Sequence, residues 1–146
     1  GIRSVFRHFA DMDSLYAEMN VHALKQFDPM FEAPVKTGSL EERVRNTVVL
    51  YHKTFETNKN LLMTTMLRRG SSELLVKQYR EGAVLLAQDF ERRIPELAGM
   101  GETTHHAITA ARSFSTYDRL RNIQGVSQKK TAAAVTEMIT AILKQA

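Results

Sequence analysis

The first nine residues combine basic and apolar side chains at helical spacing. Arg3, Arg7 and His8 share one side of the predicted helix. The other side carries apolar residues, namely Ile2, Val5, Phe6 and Phe9. Basic and polar side chains on one helix face can contact the phosphates and base edges of DNA. The pattern therefore suits a short helix that enters a DNA groove, although it also fits an ordinary helical corner.

Aromatic and methionine side chains recur along the predicted middle helices. Together they can form adaptable walls for an apolar ligand, with a few polar neighbours to orient it. The candidate ligand-binding residues are Tyr51, Phe55, Met63, Met66, Gln78, Tyr79, Phe90 and Arg112. The same spacing also fits a plain hydrophobic core, so both interpretations stay open. Gly82, within a helical pattern, indicates close approach of another helix or of a ligand.

Motifs of catalysis and metal binding are not found in the sequence. It contains no Walker loop, no G-x-S-x-G and no H-E-x-x-H. No two of the 5 histidines are four residues apart, and adjacent His105 and His106 point about 100° apart on a helix. The absence of cysteine excludes disulfides and thiolate chemistry, and it fits a reducing cytoplasm. We therefore expect neither an enzyme nor a metal or cofactor site.

The opening segment resembles the end of the helix-turn-helix of TetR/AcrR-type bacterial regulators. The residues that match this signature are Ser4, Val5, Phe6, His8, Phe9 and Leu15. The resemblance implies a DNA-binding set that comprises Ile2, Arg3, Ser4, Phe6, Arg7 and His8. It implies in addition an all-α fold, a homodimer, a pseudo-palindromic DNA operator and a small-molecule effector bound by the middle helices.

Two positions depart from the family pattern, and both remove a phosphate contact. Phe6 replaces the commoner Tyr, and Met12 replaces the usual Lys or Arg. Fewer phosphate contacts predict weaker DNA binding at physiological salt. In the family two further helices precede this point and fix the recognition helix on DNA. We therefore expect specific DNA binding only from a protein that carries those helices.

Helical periodicity, proline positions and capping residues predict an all-α chain. A short first helix should turn at Ala10 and Asp11 into a second helix over 12–26, followed by a loop over 27–38. Ser39 and Glu42 form a capping box for the next helix. Later helices are predicted over 61–69, with Gly70 as C-cap, from Ser71 or Ser72 to Arg93, over 103–124, and from Ser127 onward.

The last two predicted helices are apolar on several sides. Such surfaces need more cover than one neighbouring helix provides, and pairing with a second copy of the chain would supply it. The predicted dimer interface comprises Phe114, Leu120, Ile123, Val135, Met138, Ile139 and Ile142. Packing of both helices within a single chain is the alternative.

Length and composition agree with one ordinary globular domain. The 146 residues are 43% hydrophobic and 25% charged, with a net charge of +4 and no apolar run long enough for a membrane span. We expect the end of a DNA-binding domain over 1–26 and an effector-binding and dimerisation domain over 39–146. The function predicted is a cytoplasmic, ligand-responsive repressor; the alternative is a helical small-molecule carrier or enzyme that matches the signature by chance.

Overall fold

The structure is a computed structural model that describes the backbone of residues 1–146 and all side chains except those at positions 5, 6 and 8–10. Over this backbone the chain is helical and contains no strand. The α-helices are α1 (Ile2–Glu32), α2 (Leu40–Thr57), α3 (Lys59–Arg68), α4 (Glu73–Arg93), α5 (Glu102–Ala111), α6 (Phe114–Asp118) and α7 (Gln128–Gln145). Two 3₁₀ turns, Arg69–Ser71 and Pro95–Gly99, and a π-helical segment, Arg119–Ile123, lie between them. The all-α prediction is confirmed.

Serine caps start four of the helices. At α2 the Ser39 N–H donates to Glu42 Oε2 (2.9 Å), and the Glu42 N–H donates to Ser39 Oγ (3.3 Å), so the predicted capping box is present. Gly38 leads into it with a φ of 131°, a conformation that side chains rarely adopt. Ser72, Ser113 and Ser127 likewise accept a backbone N–H at the starts of α4, α6 and α7.

The first helix differs most from its prediction. α1 continues from Ile2 to Glu32 without the expected corner at Ala10 and Asp11, and it includes Pro29 instead of ending before it. The physical reason for the extension is tertiary: Met30 is buried in the core, and arginines of α4 donate to the last carbonyls of α1. Those donors replace hydrogen bonds that a helix end leaves unmade.

Two further boundaries correct the predictions. The helix expected over 103–124 is broken at Ser113, where the hydroxyls of Ser113 and Thr116 donate to Ala110 O (2.8 and 2.7 Å). Such local side-chain bonds compete with the continuous helical ladder. Gly70 does not adopt the left-handed conformation of a C-cap and instead lies in a 3₁₀ turn, whereas Gly125 has a φ of 66° and follows the π-helical segment.

The core lies chiefly between α2 and α7, which form the most extensive helix pair of the molecule. A stripe on α2 is buried there, namely Val44, Val48, Tyr51 and Phe55. From α7, Val135, Ile139 and Leu143 pack into the same cluster. Complete burial of each large apolar side chain contributes about 1.5–3 kcal/mol to folding, so this pair supplies much of the stability. Among the described helices, none is both long and apolar enough to cross a membrane.

Candidate ligand-binding site

A cavity of about 170 Å³ opens between α1, α3, α4 and the junction of α5 with α6. Helix α1 contributes a wall of apolar residues that includes Tyr16, Met19, Ala23, Phe27 and Phe31. These residues recur at helical spacing, so the sequence contained this signal. It was missed because the predicted helix ended at Gln26, which placed Phe27 and Phe31 in a loop.

The structure brings half of the predicted ligand-binding residues to this cavity. Phe55, Gln78, Tyr79 and Arg112 line it. Tyr51 and Phe90 are not among the lining residues and instead belong to the core cluster, which corrects their assignment. Met63 and Met66 are also corrected: they are half-buried against the core cluster and are not among the lining residues.

Gly82 lines the cavity, and this position explains why a glycine occurs within the helix. A Cβ atom built on Gly82 meets no atom within 4 Å, so no neighbouring helix requires a glycine here. The alternative of a close helix contact is therefore wrong. The missing side chain instead leaves open space beside Tyr79 and Leu86, which line the same cavity.

Arg112 carries the charge of the cavity. Its side chain is 5% exposed, and no other charged residue lines the cavity among the described side chains. The guanidinium donates to Thr109 Oγ1 (3.3 Å) and lies 5.6 Å from the centre of the Phe90 ring. Burial lowers the pKa of Arg112, while Tyr51, Glu91 and Asp89 act in the opposite direction.

A polar junction closes the space between α4 and the end of α1. Asp89 is buried and accepts from Tyr51 (2.8 Å), Arg92 (2.6 Å) and Arg93 (2.7 Å). Burial alone would raise the pKa of Asp89, but the hydrogen bonds from Arg93, Arg92 and Tyr51 outweigh it and lower that pKa. Burial followed by the charge of Asp89 raises the pKa of Tyr51.

The same two arginines connect this junction to α1. Arg93 donates to the carbonyl oxygens of Met30 (2.8 Å) and Ala33 (3.1 Å), and Arg92 donates to that of Phe31 (2.8 Å). Positive charge at a helix C-terminus is favourable because the carbonyl dipoles point there. The end of α1 is thus fixed to α4 directly beside the cavity.

The predicted DNA-binding residues lie at the other end of α1. Ile2, Arg3, Ser4 and Arg7 are exposed. The side chains of Phe6 and His8 lie outside the described residues. Arg7 precedes Tyr16, the first cavity residue of α1, by about 14 Å along the helix axis.

The predicted dimer residues divide between the core and the surface. Phe114, Val135 and Ile139 are buried within the single chain; Ile139 has no exposed surface. Their assignment to an interface is corrected, because they pack against α2 and its neighbours and leave no surplus to cover. Leu120 and Ile142 are half-buried, whereas Met138 and Ile123 are 43% and 71% exposed.

No group of three or more potential metal ligands occurs among the described side chains. Comparison of the chain with protein-family models, curated proteins and solved structures gives no match. The resemblance to TetR-type regulators therefore stays a prediction from the opening residues.

Proposed function

We propose that the protein is a ligand-responsive, DNA-binding transcriptional regulator of the TetR type, a repressor released from its operator by a small effector. One observation carries the proposal. The helix that begins with the predicted DNA-binding residues Arg3, Ser4 and Arg7 is the helix whose second half, from Tyr16 to Phe31, forms a wall of the cavity. A single rigid element therefore joins the proposed DNA-contacting surface to the proposed effector site.

The junction suggests how an effector would act on DNA binding. Arg92 and Arg93 fix the end of α1 to α4, so a ligand that separates the two helices would tilt α1 about that end. Displacement grows with distance from the fixed end and is largest at Arg3. In a dimer this would change the spacing of two recognition helices, which must match half-sites about 34–36 Å apart. The effector must bind one of the two geometries more tightly.

The proposed dimer would use the outer edge of α7. Ala134, Met138 and Ile142 recur every fourth residue there; Met138 is exposed, and Ala134 and Ile142 are partly buried. We expect Met138→Glu to dissociate the dimer, because it places an unpaired carboxylate in an apolar interface. Ala133→Glu, an equally charged change at an exposed position away from that edge, is the matched control. Sedimentation velocity at micromolar concentration decides, and a wild-type monomer would refute the dimer and the two-half-site arrangement.

The DNA-binding proposal is tested with a protein that carries the two helices preceding the signature. Selection from a random duplex library should enrich a pseudo-palindromic sequence. Arg3→Ala should then weaken specific binding by about 1–3 kcal/mol, as expected for a base contact. Arg80→Ala, an exposed arginine of α4, should leave binding unchanged. Failure to enrich any sequence, with the ligand cavity functional, would favour the alternative of a small-molecule carrier.

A further inference from the structure

Arg112 is a buried cation that forms no hydrogen bond or ion pair with a carboxylate among the described side chains. The buried carboxylate of Asp89 accepts hydrogen bonds from Tyr51, Arg92 and Arg93. Arg112 is not among these donors. The only side-chain hydrogen bond of Arg112 is the 3.3 Å contact with the neutral Thr109 hydroxyl, among the described residues. Neither that contact nor the face of the Phe90 ring supplies a negative charge.

The buried carboxylates of the protein bond to residues other than Arg112. Arg93 and Arg112 are buried guanidinium groups, and Asp89 and Asp118 are the buried carboxylates among the described residues. Asp89 accepts from Arg92 and Arg93, and Asp118 accepts from Asn122, so neither carboxylate pairs with Arg112. Glu91 is partly exposed and lies 3.5 Å from the His105 ring. Arg112 therefore has no carboxylate partner among the described side chains. A buried charge without a partner costs several kcal/mol, so an arginine at this position destabilises the empty protein.

We propose that the cavity binds a small amphiphilic anion, with an apolar ring or chain against α1 and a carboxylate on Arg112. The inference rests on the proposed effector site and specifies its ligand. The guanidinium presents a planar fork of donors that matches a carboxylate in two parallel hydrogen bonds. The remaining walls are mostly apolar, and the volume of 170 Å³ is close to that of cavities that accept one benzene-sized ring.

Three probes of nearly equal shape separate charge from shape: benzoate, benzamide and benzamidine. Isothermal titration calorimetry should show benzoate binding at least about tenfold more tightly than benzamide, with benzamidine weakest, because a hydrogen bond between charged groups adds about 1.5–3 kcal/mol. Arg112→Met keeps the length of the side chain and removes its charge, so it should abolish the preference for benzoate. Arg80→Met removes one exposed charge from α4 and should retain the preference.

The outcomes distinguish a failure of this inference from a failure of the proposed effector site. Equal affinity for benzoate and benzamide, or a benzoate preference that survives in Arg112→Met, would overturn the anion assignment and leave the cavity as an effector site. Binding of none of the probes at millimolar concentration would count against the effector site itself.

Thermal unfolding without ligand gives a second, independent test. An uncompensated guanidinium predicts that Arg112→Met raises the melting temperature by a few degrees, about the shift that follows from 1 kcal/mol. A lower melting temperature would show that the fold neutralises Arg112 itself, and the inference would then be wrong whatever the probes do.

Discussion

Two helix pairs of this protein meet in contrasting ways. At the α2–α7 interface, Val44 and Val48 face Val135 and Ile139, and all four side chains are buried. At the α1–α4 interface, α4 presents Gly82 where a larger side chain would fit, and a cavity remains. Closely packed apolar side chains make the first interface a source of stability. The second is closed only at one end, by the polar junction around Asp89.

The contrast shows how one fold separates stability from binding. Apolar contacts of α2 with α7 fix the scaffold, so the α1–α4 interface can remain partly open without unfolding the chain. An open interface between rigid helices can accept a ligand and convert its binding into helix movement. The following substitutions test that division, beginning with the largest expected effect.

Asp89→Asn should be the most damaging change at the junction. It removes the negative charge that Arg92 and Arg93 share, and it leaves the buried guanidinium of Arg93 without a charged partner. The expected loss is about 3–5 kcal/mol in the free energy of unfolding, measured by urea denaturation. Glu81→Gln, whose carboxylate pairs with Lys77 at 3.9 Å on the surface of α4, should change stability by about 0.5 kcal/mol or less. Equal effects would show that the junction contributes little.

Ile139→Ala and Leu85→Ala compare the two interfaces directly. Both remove the same number of carbon atoms, but Ile139 is completely buried, whereas Leu85 lines the cavity and is 40% exposed. Loss of Ile139 should cost about 2–5 kcal/mol. Loss of Leu85 should cost less than about 1 kcal/mol, because surface changes have small effects. A similar cost at both positions would mean that the cavity side is as closely packed as the core.

His52 makes the core side sensitive to acid. Its ring is buried beside Tyr117, with 4.6 Å between ring centres, and burial lowers its pKa to about 4. In the unfolded chain the His52 ring binds a proton near pH 6.5, whereas in the folded chain it binds one only near pH 4. The free energy of unfolding should therefore fall by about 3 kcal/mol as pH drops through this range.

Urea denaturation between pH 7 and pH 4 measures the effect. His52→Phe should flatten the pH dependence, whereas His106→Phe, at an exposed position, should leave it as in the wild type. A wild-type protein whose stability does not change in this range would show that His52 is protonated when folded.

Local signals predicted the framework of the fold well. Capping serines correctly located the starts of α2, α4 and α7, and α4 ends at Arg93 as predicted. The errors arose where tertiary contacts outweigh local preferences. Pro29 would normally end a helix, yet the arginines of α4 satisfy the carbonyl groups around it.

The sequence predicted which types of residue line the site, but only some of the individual residues. Periodicity placed Tyr51 and Phe90 on the correct helices, but it could not show which neighbour covers each one. Tyr51 turns its hydroxyl to Asp89, and Phe90 is enclosed in the core, so neither reaches the cavity. Ile139 was misassigned for the same reason, since an apolar stripe looks identical whether its partner is α2 or a second chain.

Substitutions of Gly82 should have the smallest effect on stability, and they test the cavity side of the comparison alone. Because its Cβ position is open, Gly82→Ala should raise stability by about 0.5–1 kcal/mol through better helix propensity alone. Gly82→Leu projects a larger side chain into the cavity and should weaken benzoate binding while the protein stays folded. A stability loss in Gly82→Ala would mean that another group closely approaches this glycine. Undiminished benzoate binding in Gly82→Leu would mean that the ligand occupies a different part of the molecule.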